Sequence, residues 1–380
     1  MLHVITALGV GGAERMLLKL LGARALAGCE QWVVAMLPGG AMAGPMRAAG
    51  AQVHELDFLG GVPLLGGALQ VARLARQCQP DIVQGWLYHG NLGAAVARAA
   101  LPRRVPLLWG IRQSLATLEG ENLFARIGIA LNRLGSGHPD RLLFNSQTSL
   151  AQHRGFGFRT ARADYLPNGF ETSAFAPDPL ARAQLREAWS VGEGAVVFGL
   201  LARYHPAKGH SVFLQAARRV HEQRPSSRFV LAGTGVEADN EALMRTVHEA
   251  GLGDHVQLLG ERADVARVLA ALDVYVSPST SIEAFSNSVG EAMSCALPCV
   301  VTGIGDSPLI VGDTGKSVPA RDPAALAAAM IEMIDLGETG RAALGARARQ
   351  RITAEFDIEA VAGRYAALYG ALIDAAPGAH

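Results

Sequence analysis

Two glutamates eight residues apart, Glu283 and Glu291, bracket the run Ala-Phe285-Ser286-Asn287-Ser288-Val-Gly. Paired carboxylates of this kind accept hydrogen bonds from hydroxyls: one from those of a sugar, the other from the diol of a ribose. Ser286 or Asn287 can cap a helix. Glu283 would then sit in a loop, with Glu291 about one turn into the helix. The backbone N–H groups of Phe285–Ser288 would lie where an anion is favoured. Glu291 taken alone also suits a helix-start acid stabilised by the macrodipole. Arg203 and Lys208 follow the apolar run 196–201. Two cations there suit the charge of a phosphate group. Lys208 is one of three lysines (with Lys19 and Lys316) against 31 arginines, and Gly209 follows it. His89, flanked by Tyr88 and Gly90, ends a further apolar run.

Other chemistries fail on spacing. A dinucleotide fingerprint starting Gly9-x-Gly11 needs glycine at 14, which is Glu14. Gly315-Lys316-Ser317 would close a phosphate-binding P-loop only with glycine at 310, which is Ile310. No Asp-x-Asp pair is present to hold a divalent ion by hard carboxylates. Phosphate charge is therefore expected to be met by protein cations and backbone N–H groups. The four cysteines, Cys29, Cys78, Cys295 and Cys299, are too few for a disulfide scaffold. The spacing of Cys295 and Cys299 suits one helix face better than a zinc site, and no His/Cys motif accompanies them.

Short apolar runs alternate with longer amphipathic stretches. Strands are expected at 2–7, 32–37, 81–85, 106–111 and 141–145, with helices from 13, over 42–49 and over 91–99. After Asn168-Gly169, Pro177, Pro179 and a polar helix at 180–189, a second series gives strands at 196–201, 228–232, 256–259, 274–277 and 299–302. Near-continuous apolar strands alternating with helices imply parallel sheets covered on both faces. The expected fold is α/β, with two doubly wound Rossmann-like domains. Ligands of such sheets bind outside the carboxyl ends of the strands, so a cleft between the lobes is the expected site.

The 380 residues fit two domains at roughly 150 each. Half are hydrophobic and 18% are charged, which excludes a largely disordered chain. The 34 basic and 34 acidic side chains cancel, which argues against a nucleic-acid binder. The balance is uneven along the chain. Residues 1–168 carry 16 basic and 9 acidic side chains, a net of +7, and residues 169–380 carry 18 and 25, a net of −7. A basic front half suits an anionic surface or substrate.

The motifs together resemble the retaining GT-B glycosyltransferases of family 4, which include many bacterial polysaccharide enzymes, over nearly the whole chain. The E-x7-E pair is the centre of the likeness. Gly11-Gly12-Ala13-Glu14 is similar to the family's glycine loop, and Gln84–Asn91 to the segment bearing its active-site His. Phe144-Asn145-Ser146, Leu166-Pro-Asn168-Gly169-Phe170, Gly199–Gly209, Leu231-Ala-Gly233-Thr-Gly235 and the closing segments at 301–306 and 315–319 follow in family order. Two departures stand out: Gly199 lies four residues before Arg203, and Ser286 replaces a common Pro or Gly.

The resemblance implies an acceptor-binding domain at 1–168, joined by a C-terminal helix at about 358–380 that crosses back to it and permits hinge closure. It implies a nucleotide-sugar-binding domain at 169–357. It gives catalytic roles to His89, Arg203, Lys208 and Glu283. Gly11, Gly12, Gly233, Phe285, Ser286, Asn287, Ser288 and Glu291 are expected to bind the nucleotide sugar. Arg112 and Asn145 are expected at the acceptor. The implied reaction is front-face retaining transfer from a UDP- or GDP-sugar, as co-substrate, to a saccharide or polyprenyl-linked saccharide. No cofactor, metal or nucleic acid is expected. Two other readings stay open: a UDP-sugar epimerase of the same fold, and a non-catalytic nucleotide-sugar binder.

The N-terminus lacks a signal-peptide pattern, and the 15 uncharged residues between Asp57 and Arg73 are too few and too broken to span a bilayer. The expected location is cytoplasmic. Peripheral membrane contact is expected through apolar residues at 58–65 and 69–74 beside Arg73 and Arg76.

Overall fold

The computed structural model describes residues 1–58, 64–281 and 283–376. Most of the apolar stretch 58–65 therefore lies outside the described residues. The chain divides into two units, Met1–Gly169 with Ile358–His380, and Phe170–Asp357.

The first unit carries strands β1 (Leu2–Ile5), β2 (Trp32–Ala35), β3 (Gln52–Glu55), β4 (Val83–Trp86), β5 (Leu107–Ile111), β6 (Arg141–Phe144) and β7 (Ala163–Tyr165). They form one sheet in the order β3-β2-β1-β4-β5-β6-β7, and every pairing is parallel. The second unit carries β8 (Val197–Leu201), β9 (Arg228–Ala232), β10 (Val256–Leu258), β11 (Val274–Ser277), β12 (Cys299–Thr302) and β13 (Gly315–Val318). Their order is β10-β9-β8-β11-β12-β13, again wholly parallel. Both sheets thus repeat one winding, and each reverses direction once: between β1 and β4, and between β8 and β11.

The apolar runs become the central strands because helices bury them on both faces. Val4, Val34 and Val83 face one layer of the first unit and Ile5, Val33 and Trp86 the other. In the second unit Phe198, Phe229 and Val274 face one layer and Val197, Val230 and Tyr275 the other. The C-terminal helix Ile358–Asp374 lays Val361, Ala362, Tyr365 and Tyr369 into the first unit's core.

Three local features depart from the sequence reading. The helix expected from Asn91 begins at Leu87, directly after β4, with Leu87 itself at a φ of 63°. A branched side chain rarely adopts that left-handed conformation, so this is a tight, strained strand-to-helix turn. It moves His89 from a loop into the helix's first turn. Cys295 and Cys299 do not share a helix face: Cys295 ends the helix Asn287–Ser294, and Cys299 begins β12. Finally, the edge strands β3 and β7 carry no apolar run.

Candidate functional site

In the second unit, the loops after β8 and β11 leave from adjacent strands at the point of reversal, where open parallel sheets place their ligands. Backbone bonds lace the two loops together. Thr280 N donates to Ala207 O (2.9 Å), and Thr280 Oγ1 donates to Pro206 O (3.1 Å). Gly209 has a φ of 72°, and a Cβ there would fall 2.0 Å from Pro278 O, so only glycine permits this approach. The loop after β9 supports the first loop from below. Tyr204 N donates to Thr234 O (2.8 Å), and Gly233, with a φ of 143°, leaves no room for a Cβ beside Ala202 O. Gly233 therefore shapes the loop that carries Arg203.

Two of the expected site side chains meet across these loops. Lys208 Nζ lies 2.5 Å from Glu283 Oε2, with side-chain exposures of 28% and 12%. Ser279 Oγ donates to the same oxygen (3.3 Å). Arg203 is exposed, and its guanidinium makes no hydrogen bond or ion pair among the described residues. Asp306 N donates to Ala284 O (3.0 Å), and a Cβ at Gly305 would fall 2.1 Å from Glu283 O. The turn after β12 thereby pins the backbone just before Phe285. Ser279, Thr280, Gly305 and Asp306 were not among the expected site residues. The glycines at 209 and 305 were the sequence signals that two backbones approach closely here.

Ser286 is the N-cap of the helix Asn287–Ser294, as its position suggests, but its side chain makes no capping bond. Its Oγ lies instead 3.5 Å from Ser288 Oγ. The helix thus begins with N–H groups that no cap side chain consumes, the arrangement suited to an anion. Phe285 is buried, its ring 6.1 Å from Phe170 and 5.9 Å from Phe356, so it offers a site only its backbone. Asn287 and Ser288 are half-buried in the first turn, and Glu291, half-buried, follows on the next.

In the first unit, the reversal point carries Gly11, Gly12 and His89. Gly11 caps the helix Gly12–Leu21 through its backbone. Glu14 folds back over this turn: a Cβ on Gly11 would fall 2.3 Å from Glu14 Oε2. Burial pushes the Glu14 carboxyl above its usual range. His89 stacks on Phe124 (centroids 4.1 Å apart, planes within 7°), and its Nε2 is 3.3 Å from Phe124 O. A carbonyl only accepts, so Nε2 carries the proton and Nδ1 is an acceptor. Burial lowers the His89 pKa, which keeps the ring neutral near pH 7.

Arg112 and Asn145 are placed differently from an acceptor-facing pair. Arg112 is 8% exposed; its guanidinium donates to Tyr365 Oη (2.9 Å) and Asn168 Oδ1 (2.5 Å) and lies 5.1 Å over the Trp86 ring. Asn145, 3% exposed, donates to the same Asn168 oxygen (3.3 Å). Both side chains face inward, tying the C-terminal helix to the end of the unit at Asn168. Among the described residues no His/Cys/Asp/Glu group is arranged to hold a metal ion.

Two parallel-sheet Rossmann-like units define a protein of the GT-B type. Residues 11–169 match the glycosyl transferase 4-like domain, and residues 195–335 match the model of group 1 glycosyl transferases. The GDP-mannose-dependent alpha-(1-6)-phosphatidylinositol monomannoside mannosyltransferase of Mycobacterium tuberculosis is 28% identical over 334 residues, 84% of this chain and 83% of that one. The lipopolysaccharide core biosynthesis mannosyltransferase LpsB of Rhizobium meliloti is 30% identical over 57% of this chain and 64% of its own. Among solved structures, Anabaena HepE in complex with UDP superposes with a TM-score of 0.85 at 22% identity, covering 97% of this chain and 99% of that one. The chain belongs to the family 4 glycosyltransferases.

Proposed function

We propose that the protein transfers a sugar, with retention, from a nucleoside-diphosphate sugar to a saccharide or lipid-linked saccharide in glycolipid or polysaccharide biosynthesis. The observation that carries this is the Lys208–Glu283 pair, 2.5 Å apart on two loops laced together at the second sheet's reversal point. A bound donor gives each partner new work. The diphosphate takes Lys208 and Arg203, and the sugar hydroxyls take Glu283. As the glycosidic bond lengthens, charge builds on the leaving phosphate, and both cations stabilise it more than they stabilise the ground state. Backbone N–H groups of Phe285–Ser288 and the start of the helix add to that field. Glu283 grips hydroxyls and is not assigned as a nucleophile; the acceptor attacks from the face the leaving group departs. His89 meets a donor-sugar hydroxyl as a neutral imidazole. Gly11 and Gly12 let backbone approach the diphosphate or acceptor. Protein cations fill the role a divalent ion would otherwise take, so turnover is expected without added metal.

The Mycobacterium tuberculosis relative uses GDP-mannose on a phosphatidylinositol mannoside and HepE binds UDP, so both bases are candidates. Calorimetric titration of UDP-, GDP- and ADP-sugars, with magnesium and with EDTA, tests the proposal. One nucleotide should bind in both conditions with equal affinity. Glu291→Ala should weaken it by about 10- to 100-fold, through loss of charged hydrogen bonds to the ribose. Unchanged affinity would remove the ribose from Glu291, and strict need for magnesium would refute the metal-free account.

A pH profile tests His89. Its lowered pKa means that the ring protonates only below the ordinary histidine value of about 6.5. Activity should therefore persist as pH falls through 6.5 and decline only below it, and His89→Gln should remove that acid limb. A limb above pH 7 that His89→Gln abolishes would contradict a neutral imidazole.

A further inference from the structure

Phe124, Gly128 and Asn132 follow one another at intervals of four on the helix Leu123–Gly135, so they share one face. That face grips the two residues at the head of the helix Leu87–Ala99. Phe124 stacks on the His89 ring and its carbonyl accepts from Nε2. Gly128 lies against the edge of the same ring: a Cβ there would fall 2.8 Å from His89 Nε2 and 3.1 Å from Cε1. In a helix interior alanine is the more stable choice. Here the imidazole occupies the space an alanine methyl group would take. Asn132, fully buried, donates to Tyr88 O (2.8 Å) and to Gly128 O (2.9 Å), so one amide joins the two helices. Its own oxygen accepts from Asn91 Nδ2 (3.0 Å), and Asn91 Oδ1 accepts from Gly110 N on β5 (3.1 Å).

The far end of Tyr88 is held as well. Its hydroxyl lies 2.6 Å from Nε2 of His153, which is fully buried. His153 Nδ1 is 2.8 Å from Ser149 O, which only accepts. Nδ1 therefore carries the proton, and Nε2 accepts from the tyrosine. Burial lowers the His153 pKa to about 4, which keeps that acceptor in place at neutral pH. Leu87, with its left-handed φ of 63°, stands directly before Tyr88. A strained turn persists where its surroundings over-determine it, and the residue after this one is fixed at both its carbonyl and its hydroxyl.

We propose that Asn132 and Gly128 are positioning residues for His89. Asn132 holds the strained turn through the Tyr88 carbonyl. The bare backbone at 128 lets the ring lie on Phe124 with Nε2 bonded to its carbonyl and Nδ1 as the acceptor. The inference rests on the proposed reading for what Nδ1 meets; the placement of the ring stands without it.

The test is Gly128→Ala, with Asn132→Ala beside it, in the full chain. Alanine at 128 favours the helix, so thermal unfolding should stay near that of wild type. The added methyl group should push the ring off Phe124 towards water. Its pKa, lowered in wild type by burial, should then rise towards the ordinary value of about 6.5 in an NMR titration of the imidazole protons. The acid limb of the pH–activity profile should rise with it. Because a misplacement of about 1 Å can cost roughly a hundredfold, kcat should fall by about tenfold to a hundredfold, with donor affinity changed less. Asn132→Ala should give the same His89 titration, and where it lowers stability Gly128→Ala decides. A Gly128→Ala protein with the wild-type His89 titration would overturn the proposal, whether its kcat fell or not. Failure of sugar transfer in wild type would strike the reaction instead, since the titration reads the ring without it.

Discussion

Lys208→Ala should lower kcat/KM about a thousandfold, with most of the loss in kcat, since removing one preorganised charge from a transition-state site costs roughly 3–4 kcal/mol. Two effects add. The developing phosphate charge loses one of its two cations, leaving Arg203 alone. Glu283, only 12% exposed, loses its counter-charge and stands beside the incoming diphosphate as a bare anion. Glu283→Gln separates the two, because it removes the negative charge and keeps a hydrogen-bonding group for the sugar. The double variant should therefore be less impaired than the product of the single losses. Steady-state kinetics on all three, with calorimetry for donor affinity, reads this out. An unchanged kcat in Lys208→Ala would place the chemistry elsewhere.

Arg112→Ala should be the most destabilising single charge removal in the first unit, by about 3 kcal/mol. The side chain is buried, donates to Tyr365 and Asn168, and covers the Trp86 ring. Its loss takes the donor from the Tyr365 hydroxyl and one of the donors from Asn168 Oδ1, and leaves a cavity. In a unit of this size that corresponds to a drop in Tm of roughly 6–12 °C. Arg103→Ala is the contrasting control. Its pair with Asp81 is half open to water (52% and 63% exposed), and such pairs contribute under about 1 kcal/mol. Chemical denaturation of both variants decides the matter. An Arg112→Ala protein as stable as wild type, with a raised KM for acceptor, would restore the role that the residue's place after β5 suggested.

The difference between these two arginines shows what the sequence could and could not convey. Both stand near an apolar strand, and nothing local separates them. Arg112 is buried because its partners come from 56 and 253 residues away, contacts that only the closed fold supplies. The central strands were legible because helices cover both their faces and the chain must be apolar throughout. β3, with the sequence Gln-Val-His-Glu, is an edge strand covered mainly by its neighbour and has no such signature. The start of the helix at Leu87 was hidden for another reason: a leucine at positive φ breaks the rule that assigns such turns to glycine. In the site, residue types marked Lys208, Glu283 and Glu291 as chemistry, whereas the 75-residue separation of Lys208 from Glu283 hid that the first two touch. Gly209 and Gly305 announced close backbone approach without naming the backbone approached.

The central claim is that Arg203 and Lys208 receive the diphosphate while Glu283 turns to the sugar. A crystal structure with the intact nucleotide sugar is its most direct test. The account predicts phosphate oxygens within hydrogen-bonding distance of Lys208 Nζ and the Arg203 guanidinium, the ribose diol on Glu291, and the Lys208–Glu283 contact opened by a sugar hydroxyl. A diphosphate bound away from the loops after β8 and β11, with the Lys208–Glu283 pair still closed, would contradict it.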